Sequence, residues 1–223
     1  MELVRSLTPK TPAMKKLLFL MITFTSTVSL IAQTNPNGLK KFYLDVGTGP
    51  ASHNGAFAAF GATAILKSNW TASVSYYIFD MDPKHLPSDY EPGYTLIIFI
   101  PVPDPMPTAD LKAINFTVGR FFQMGRKTWF TTDAGISIAS GKTYHFTPQP
   151  VEDNGAYFSS NYSSDPKSTT TIGGMIRGDL TWAFCPYAGL NLGAFASFSA
   201  IQSPIGAEIK IVAGWLNTKK HSK

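Results

Sequence analysis

The chain has 223 residues, 44% of them hydrophobic, 13% aromatic and only 15% charged, enough apolar surface for one folded domain and too much for a disordered chain. Mean hydropathy is +0.01 with a single long apolar run, which excludes a bundle of membrane helices, since each helix needs about 20 apolar residues. The net charge of +5 sits at the two ends: residues 1–32 and 217–223 each hold three excess positive charges and the body between them is −1, so no basic groove for nucleic acid is expected.

Met14, Lys15 and Lys16 open a cationic segment, 17–32 form an apolar run, and the small Ala32 precedes Gln33. That order is the order of a cleaved secretory signal peptide. Met14 is the better start, because residues 1–13 only lengthen the leader. A retained membrane anchor is the competing reading, disfavoured because the run holds Thr23, Thr25, Ser26, Thr27 and Ser29 and ends without a basic stop-transfer cluster. Residues 33–40 then read as a lead-in, 41–216 as the folded body and 217–223 as a basic tail. The single cysteine, Cys185, has no partner for an intramolecular disulfide or a zinc site. An exported chain of this kind must be held by another device, and a closed hydrogen-bonded barrel suffices.

From residue 41 onward, eight segments alternate between an apolar face and a small or polar face: 41–49, 56–67, 70–80, 111–123, 128–142, 169–184, 187–199 and 205–216. Period two is the signature of strands, and each segment is long enough for a tilted crossing of a hydrocarbon layer, which takes about 9–11 residues. In the sixth, Ile172, Ile176, Leu180 and Trp182 oppose Met175, Arg177, Asp179 and Thr181; in the eighth, Ile205, Ile209, Ile211 and Trp215 oppose Gly206, Glu208 and Lys210. The second segment alternates least. The charged face is also the face of Gly, Ala, Ser and Asn, the side chains that fit inside a narrow eight-stranded barrel. The apolar stripes are therefore expected to meet lipid and the charges to meet the axis.

Connections support this independently. Those after the second, fourth and sixth segments are short (68–69, 124–127, 185–186), whereas those after the third and fifth are long (81–110, 143–168). Short turns on one rim and long loops on the other are the build of outer-membrane barrels. Acidic residues dominate the long-loop rim, and Lys40, Lys41, Lys67, Arg126 and Lys127 the other. Trp70, Phe122, Trp129, Trp182, Tyr187 and Trp215, with Phe42 and Phe184, fall near the short-turn ends of their segments and read as an interfacial aromatic girdle.

On this pattern the chain resembles the small outer-membrane β-barrels of Gram-negative bacteria, the OmpA-like and OmpX-like eight-stranded family, over nearly all of 40–216. The resemblance implies an all-β, up-and-down antiparallel transmembrane barrel, a monomer in outer-membrane lipid. It also implies that both ends are periplasmic and that the barrel-assembly machinery inserts it. Many members end on an aromatic residue, whereas here Trp215-Leu216 is followed by seven more residues, so that machinery must read the last strand internally.

Inward-facing Asp45, Asp133, Arg177, Asp179, Glu208 and Lys210, with Asn115 and Asn191, are forced to pair if buried. A fixed network filling the lumen is preferred over a gate in which Arg177 or Lys210 exchanges partners, because eight strands enclose little free volume. Arg120 falls on the lipid face, where it must snorkel. An enzyme reading rests on Ser52, His53 and His145. It is weak, because adjacent Ser-His with no acid partner is ordinary loop composition, and Ser52-His53-Asn54 lacks the His-x-Ser motif of lipid A deacylases. No phosphate loop or histidine cluster is present, so neither cofactor nor metal is expected. Leu96, Ile97, Ile98, Phe99 and Ile100 form an apolar stretch inside a long loop, read as a strand extension packed on a neighbouring hairpin or as a contact patch. As a transmembrane strand it would break the even count. The expected role is non-enzymatic: display of 81–110 and 143–168 for adhesion, envelope contacts or capture of an extracellular ligand or surface partner. A lipid-modifying barrel enzyme and a secreted soluble carrier are the alternatives.

Overall fold

Side chains that alternate with period two form one closed antiparallel sheet in the computed structural model, which describes residues 38–97, 100–104, 106–152 and 157–216. The leader, the lead-in before residue 38 and the basic tail lie outside the described residues. Eight strands close the ring: β1 (Leu39–Ala51), β2 (Gly55–Leu66), β3 (Trp70–Met81), β6 (Ala109–Gln123), β7 (Thr128–Pro148), β9 (Tyr162–Ala183), β10 (Ala188–Phe198) and β11 (Ile205–Trp215). Each pairs with its predecessor and successor in the ring, and β1 closes on β11 with Phe42 opposite Trp215 and Thr48 opposite Ile209. The three short strands β4 (Tyr94–Ile97), β5 (Ile100–Pro103) and β8 (Tyr157–Phe158) form a separate sheet in the order β5-β4-β8.

The direction in which the faces point is decided by burial. Ile176, Leu192 and Ile209 are 51%, 52% and 47% exposed, while Arg177 and Glu208 are 6% and 4% exposed. Such a belt has no place on a water-soluble barrel; it is the arrangement of a barrel whose solvent is hydrocarbon. The weak alternation of the second segment has a simple cause. Ala58, Ala62 and Ala64 stand opposite Thr48, Leu44 and Phe42 on the outer face, where Ala62 and Ala64 are covered by larger neighbours, while Ala59, Gly61 and Thr63 face inward, so both faces are small, yet the ladder to β1 and β3 runs unbroken from Ala56 to Ile65.

Inside, the barrel is filled in three layers. Toward the long-loop rim, Phe57, Tyr77, Phe79 and Phe195 pack together, with Phe57 edge-on to Phe195 at 5.0 Å and Tyr77 stacked on Phe79 at 5.6 Å. Toward the short-turn rim, Tyr43, Ile65, Phe121, Trp129 and Val212 form a second apolar layer. The charged side chains lie between them.

Two expectations are corrected on the long-loop rim. Segment 143–168 is mostly not loop: β7 and β9 stay paired from Lys142 opposite Ser168 out to Pro148 opposite Tyr162, leaving only 149–161 as the connection. Above the membrane belt neither face needs to be apolar, so alternation in the hairpin extension shrinks to Tyr144 and Phe146, too short a run to mark a strand. Residues 94–97 and 100–103 neither add a ninth barrel strand nor extend one of the eight. They form the β4–β5 hairpin, with Ile97 opposite Ile100, and β4 joins β8 through Tyr94 opposite Phe158. Ile98 and Phe99 lie outside the described residues.

Replacing Leu192 with Arg puts a guanidinium at mid-height on the lipid face. It is expected to lower folding stability in phospholipid bilayers by about 2–4 kcal/mol, read by urea titration of tryptophan fluorescence. Unchanged stability would mean that this face does not meet lipid.

Candidate functional site

The middle layer of the lumen is one connected ion-pair network. Asp133 on β7 and Arg177 on β9 are directly opposite in the ladder, which brings the Arg177 Nε and one terminal guanidinium nitrogen within 3.3 Å of an Asp133 oxygen. The same Nε lies 3.3 Å from Asp179, whose other oxygen is 3.0 Å from Lys210 Nζ. Lys210 also donates to Glu208 at 2.6 Å, Tyr77 donates its hydroxyl to the second Glu208 oxygen at 2.8 Å, and Thr71 donates to Asp133. Carboxylates and cations thus alternate along the chain of contacts Asp133–Arg177–Asp179–Lys210–Glu208, as burial of charge requires.

Room for these side chains comes from glycine. Asp45 stands opposite Gly61, Lys210 opposite Gly47, Asp133 opposite Gly119, and Gly193 faces both Asp179 and Glu208. A Cβ on Gly193 would lie 2.3 Å from Asp179 Oδ1 and 2.9 Å from Glu208 Oε1; one on Gly61 would lie 2.7 Å from Asp45 Oδ1. All six charged residues singled out from the sequence are buried in this compartment, as are Asn115 and Asn191. The sequence reading missed the hydroxyls of Tyr77 and Thr71. Their signal was parity with neighbouring inward residues on β3, without any charge to mark them.

Of the rings read from the sequence as an aromatic girdle, the structure turns five outward and one inward. Trp70, Phe122, Trp182, Tyr187 and Trp215 point outward around the short-turn rim. Trp129 does not: it is fully buried, within ring-contact distance of Tyr43 and Phe121, with the Lys41 ammonium 4.3 Å above it. Trp129 and Asp133 are four residues apart on one strand and so share a face, and the inward Asp133 fixes the inward Trp129. Arg120 lies on the outer face opposite Trp70 and stacks over its ring at 4.1 Å, the placement of an interfacial guanidinium.

Ser52 closes the rim between β1 and β11: its N–H donates to Ile205 O at 2.8 Å and its Oγ accepts from Ile205 N at 3.1 Å. His53 and Asn54 follow in left-handed conformations, φ 60° and 51°, as turn residues. His145 is exposed on the β7 extension opposite Asp165, at another place on the rim. The structure does not bring the three residues Ser52, His53 and His145 together.

The two long loops are built against each other. Asn161 donates from its amide to Asp89 O at 2.6 Å and accepts from Glu91 N at 2.8 Å, and Tyr162 donates its hydroxyl to the Asp89 carboxylate at 3.0 Å. The β5-β4-β8 sheet spans the same two loops. A cleft of about 510 Å³ opens between them, lined by Tyr90, Tyr144, Tyr162, Asp104, Gln149 and Ser164 among others. None of these residues stands out in the sequence, because they come from two distant loops with no common spacing.

Among solved structures the fold is similar to that of Neisserial surface protein A, with a TM-score of 0.51 at 14% identity, covering 78% of this chain and 97% of that one. The N-terminal β-barrel domain of OprF from Pseudomonas aeruginosa gives 0.47 at 8% identity, covering 80% and 99%. Ail, the attachment invasion locus protein of Yersinia pestis, gives 0.44 at 10%, covering 80% and 98%. No family model matches the sequence, and no curated protein matches it. The likeness to Neisserial surface protein A is one of fold: this chain has the eight-stranded architecture of the small outer-membrane β-barrels.

Arg177→Met leaves Asp133 without its buried cation and is expected to cost about 3–5 kcal/mol of folding stability; adding Asp133→Asn should recover part of it, as measured by urea unfolding. Above the barrel, the hydrogen bond to Asp89 raises the Tyr162 phenol above the ordinary 10.0. Because the folded value is the higher one, the contact holds fully below pH 10 and is lost as pH rises through the raised value. Tyrosine ring-carbon NMR should show Tyr162 titrating late and Asp89→Asn returning it to the ordinary range.

Proposed function

We propose that the chain is a non-enzymatic protein of a Gram-negative outer membrane that holds its two long loops outside the cell for adhesion, envelope contact or ligand capture. The observation that carries this reading is the exposed apolar belt around a charged, filled lumen. A soluble carrier would reverse the two faces and keep an apolar cavity inside, whereas here the axis is occupied by ion pairs between two aromatic layers. With the lumen filled, what the fold presents to a partner is its rims, and the long-loop rim is the one with built structure.

The ends of the described chain support this orientation. Residues 38 and 216 lie on the short-turn rim, where Lys41 donates to Leu216 O. That rim also carries Arg126 and Lys127 in an exposed turn. A chain delivered through a cleaved signal peptide and inserted by the barrel-assembly machinery from the periplasm leaves its termini and short turns on that side, as a monomer embedded in outer-membrane lipid.

An epitope inserted after Lys84 is expected to be stained on intact cells, and one inserted after Arg126 only on permeabilised cells. The protein extracted in detergent should migrate faster on gels unheated than boiled. Staining after Arg126 on intact cells, or recovery without detergent in the aqueous fraction, would overturn the proposal.

A further inference from the structure

We infer that the cleft between the two long loops is a binding site for a neutral saccharide, held by stacking of its pyranose faces on tyrosine rings. This deepens the reading of the long-loop rim as a ligand-presenting surface and rests on it for its biological setting.

The cleft is preorganised. Asn161 ties the 82–93 strand of loop to the tip of the β7–β9 hairpin through Asp89 and Glu91, and Asp104 N donates to Gly93 O at 2.7 Å. At Gly93 the loops approach so closely that a Cβ would lie 2.6 Å from Asp104 Oδ2 and 2.7 Å from Phe158 O. A site already ordered before binding avoids the entropy of ordering loops on the ligand.

Its walls have the chemistry of a saccharide platform. Tyr90 and Tyr162 lie side by side with centroids 6.4 Å apart and planes 30° from each other, and Tyr144 stacks along Phe146 at 6.1 Å and 25°. Tyr90 meets Phe146 edge-on at 5.9 Å, so the two near-flat surfaces make a corner. The hydroxyls of Tyr162 and Tyr144 are already engaged, with the Asp89 carboxylate and with Thr108 O at 2.9 Å. What these rings offer a ligand is therefore the π face, whose negative charge attracts the C–H groups of a sugar ring.

The polar groups between the rings combine the hydroxyls of Ser160 and Ser164 with two acceptors. Gln149 donates its amide N–H to Ser160 O at 2.9 Å, which turns its carbonyl to other donors, and the Asp104 carboxylate has no hydrogen bond to a side chain among the described residues. Acceptors next to π faces ask for a ligand rich in O–H donors and C–H faces. Asp104, Asp89 and Glu91 repel sulfated and carboxylated polymers. A volume of about 510 Å³, inside the usual range for ligand sites, and rings laid out as platforms suit an oligosaccharide rather than a lone ammonium group enclosed in a box of rings.

The test uses the full chain, purified and folded in detergent, on an array of neutral oligosaccharides from animal-cell surfaces and neutral bacterial polysaccharide repeats, with sulfated and sialylated glycans and lysine-rich peptides alongside. Binding to at least one neutral glycan is expected, and the arm that binds names the source. Tyr144→Ala and Asp104→Asn should each weaken it at least tenfold, whereas Tyr144→Phe, which keeps the ring, and Lys84→Ala, outside the cleft, should retain it, with folding of every variant checked by heat-modifiable migration. Absence of neutral-glycan binding, binding confined to anionic glycans or cationic peptides, or binding indifferent to Tyr144→Ala and Asp104→Asn would overturn the inference. Because the protein is free of the membrane in this assay, its result is independent of which rim faces out.

Discussion

Backbone hydrogen bonding in a medium without water governs this molecule. Each N–H and C=O in the hydrocarbon layer must find its partner in a neighbouring strand, and only a closed ring leaves no edge. Closure of β1 on β11 meets that demand, and eight strands then enclose a lumen just wide enough for side chains. Narrowness and inversion follow from this one requirement. Bulky apolar groups go outward because lipid accepts them and the axis does not hold them all.

That narrow axis nonetheless holds four carboxylates, an arginine and a lysine, and their coexistence depends on steric as much as electrostatic complementarity. Gly47, Gly61, Gly119 and Gly193 each stand across the ladder from a charged residue. Removing a side chain on one strand makes the space in which the neighbour's charge reaches its counter-ion. Burial makes such pairs contribute little net stability over an apolar filling, while loss of a single partner is costly. A one-residue slip of β1, β7, β9 or β11 would turn its network charges to lipid, so the network fits a single register.

Beyond the membrane belt the constraint relaxes, and the chain behaves differently there. β7 and β9 continue as a two-stranded ribbon rich in Ser and Thr, and the other long loop folds a hairpin of its own that pairs with β8. The contacts that hold the two loops together are polar and long-range, with Asn161 reaching Asp89 and Glu91 some seventy residues away. A rigid barrel thus carries a rim with a shape of its own, the usual division between scaffold and recognition surface.

Alternation along the chain determined the strand count, the faces and the membership of the lumen network, because lipid on one side and a tight axis on the other impose opposite demands on successive residues. Ile176 and Arg177, adjacent in sequence, are separated by that rule alone. The same rule settles Trp129 when parity is allowed to outrank proximity to a turn, since it shares the face of Asp133. Only the tertiary structure decided the extent of the β7–β9 ribbon, the pairing of β4 with β8, and the tyrosine cleft. Above the lipid no rule sets one face against the other, so the apolar stretch 96–100 is visible in the sequence but its partner is not, and the contacts of the two loops join residues that meet only once the barrel has brought them to the same rim.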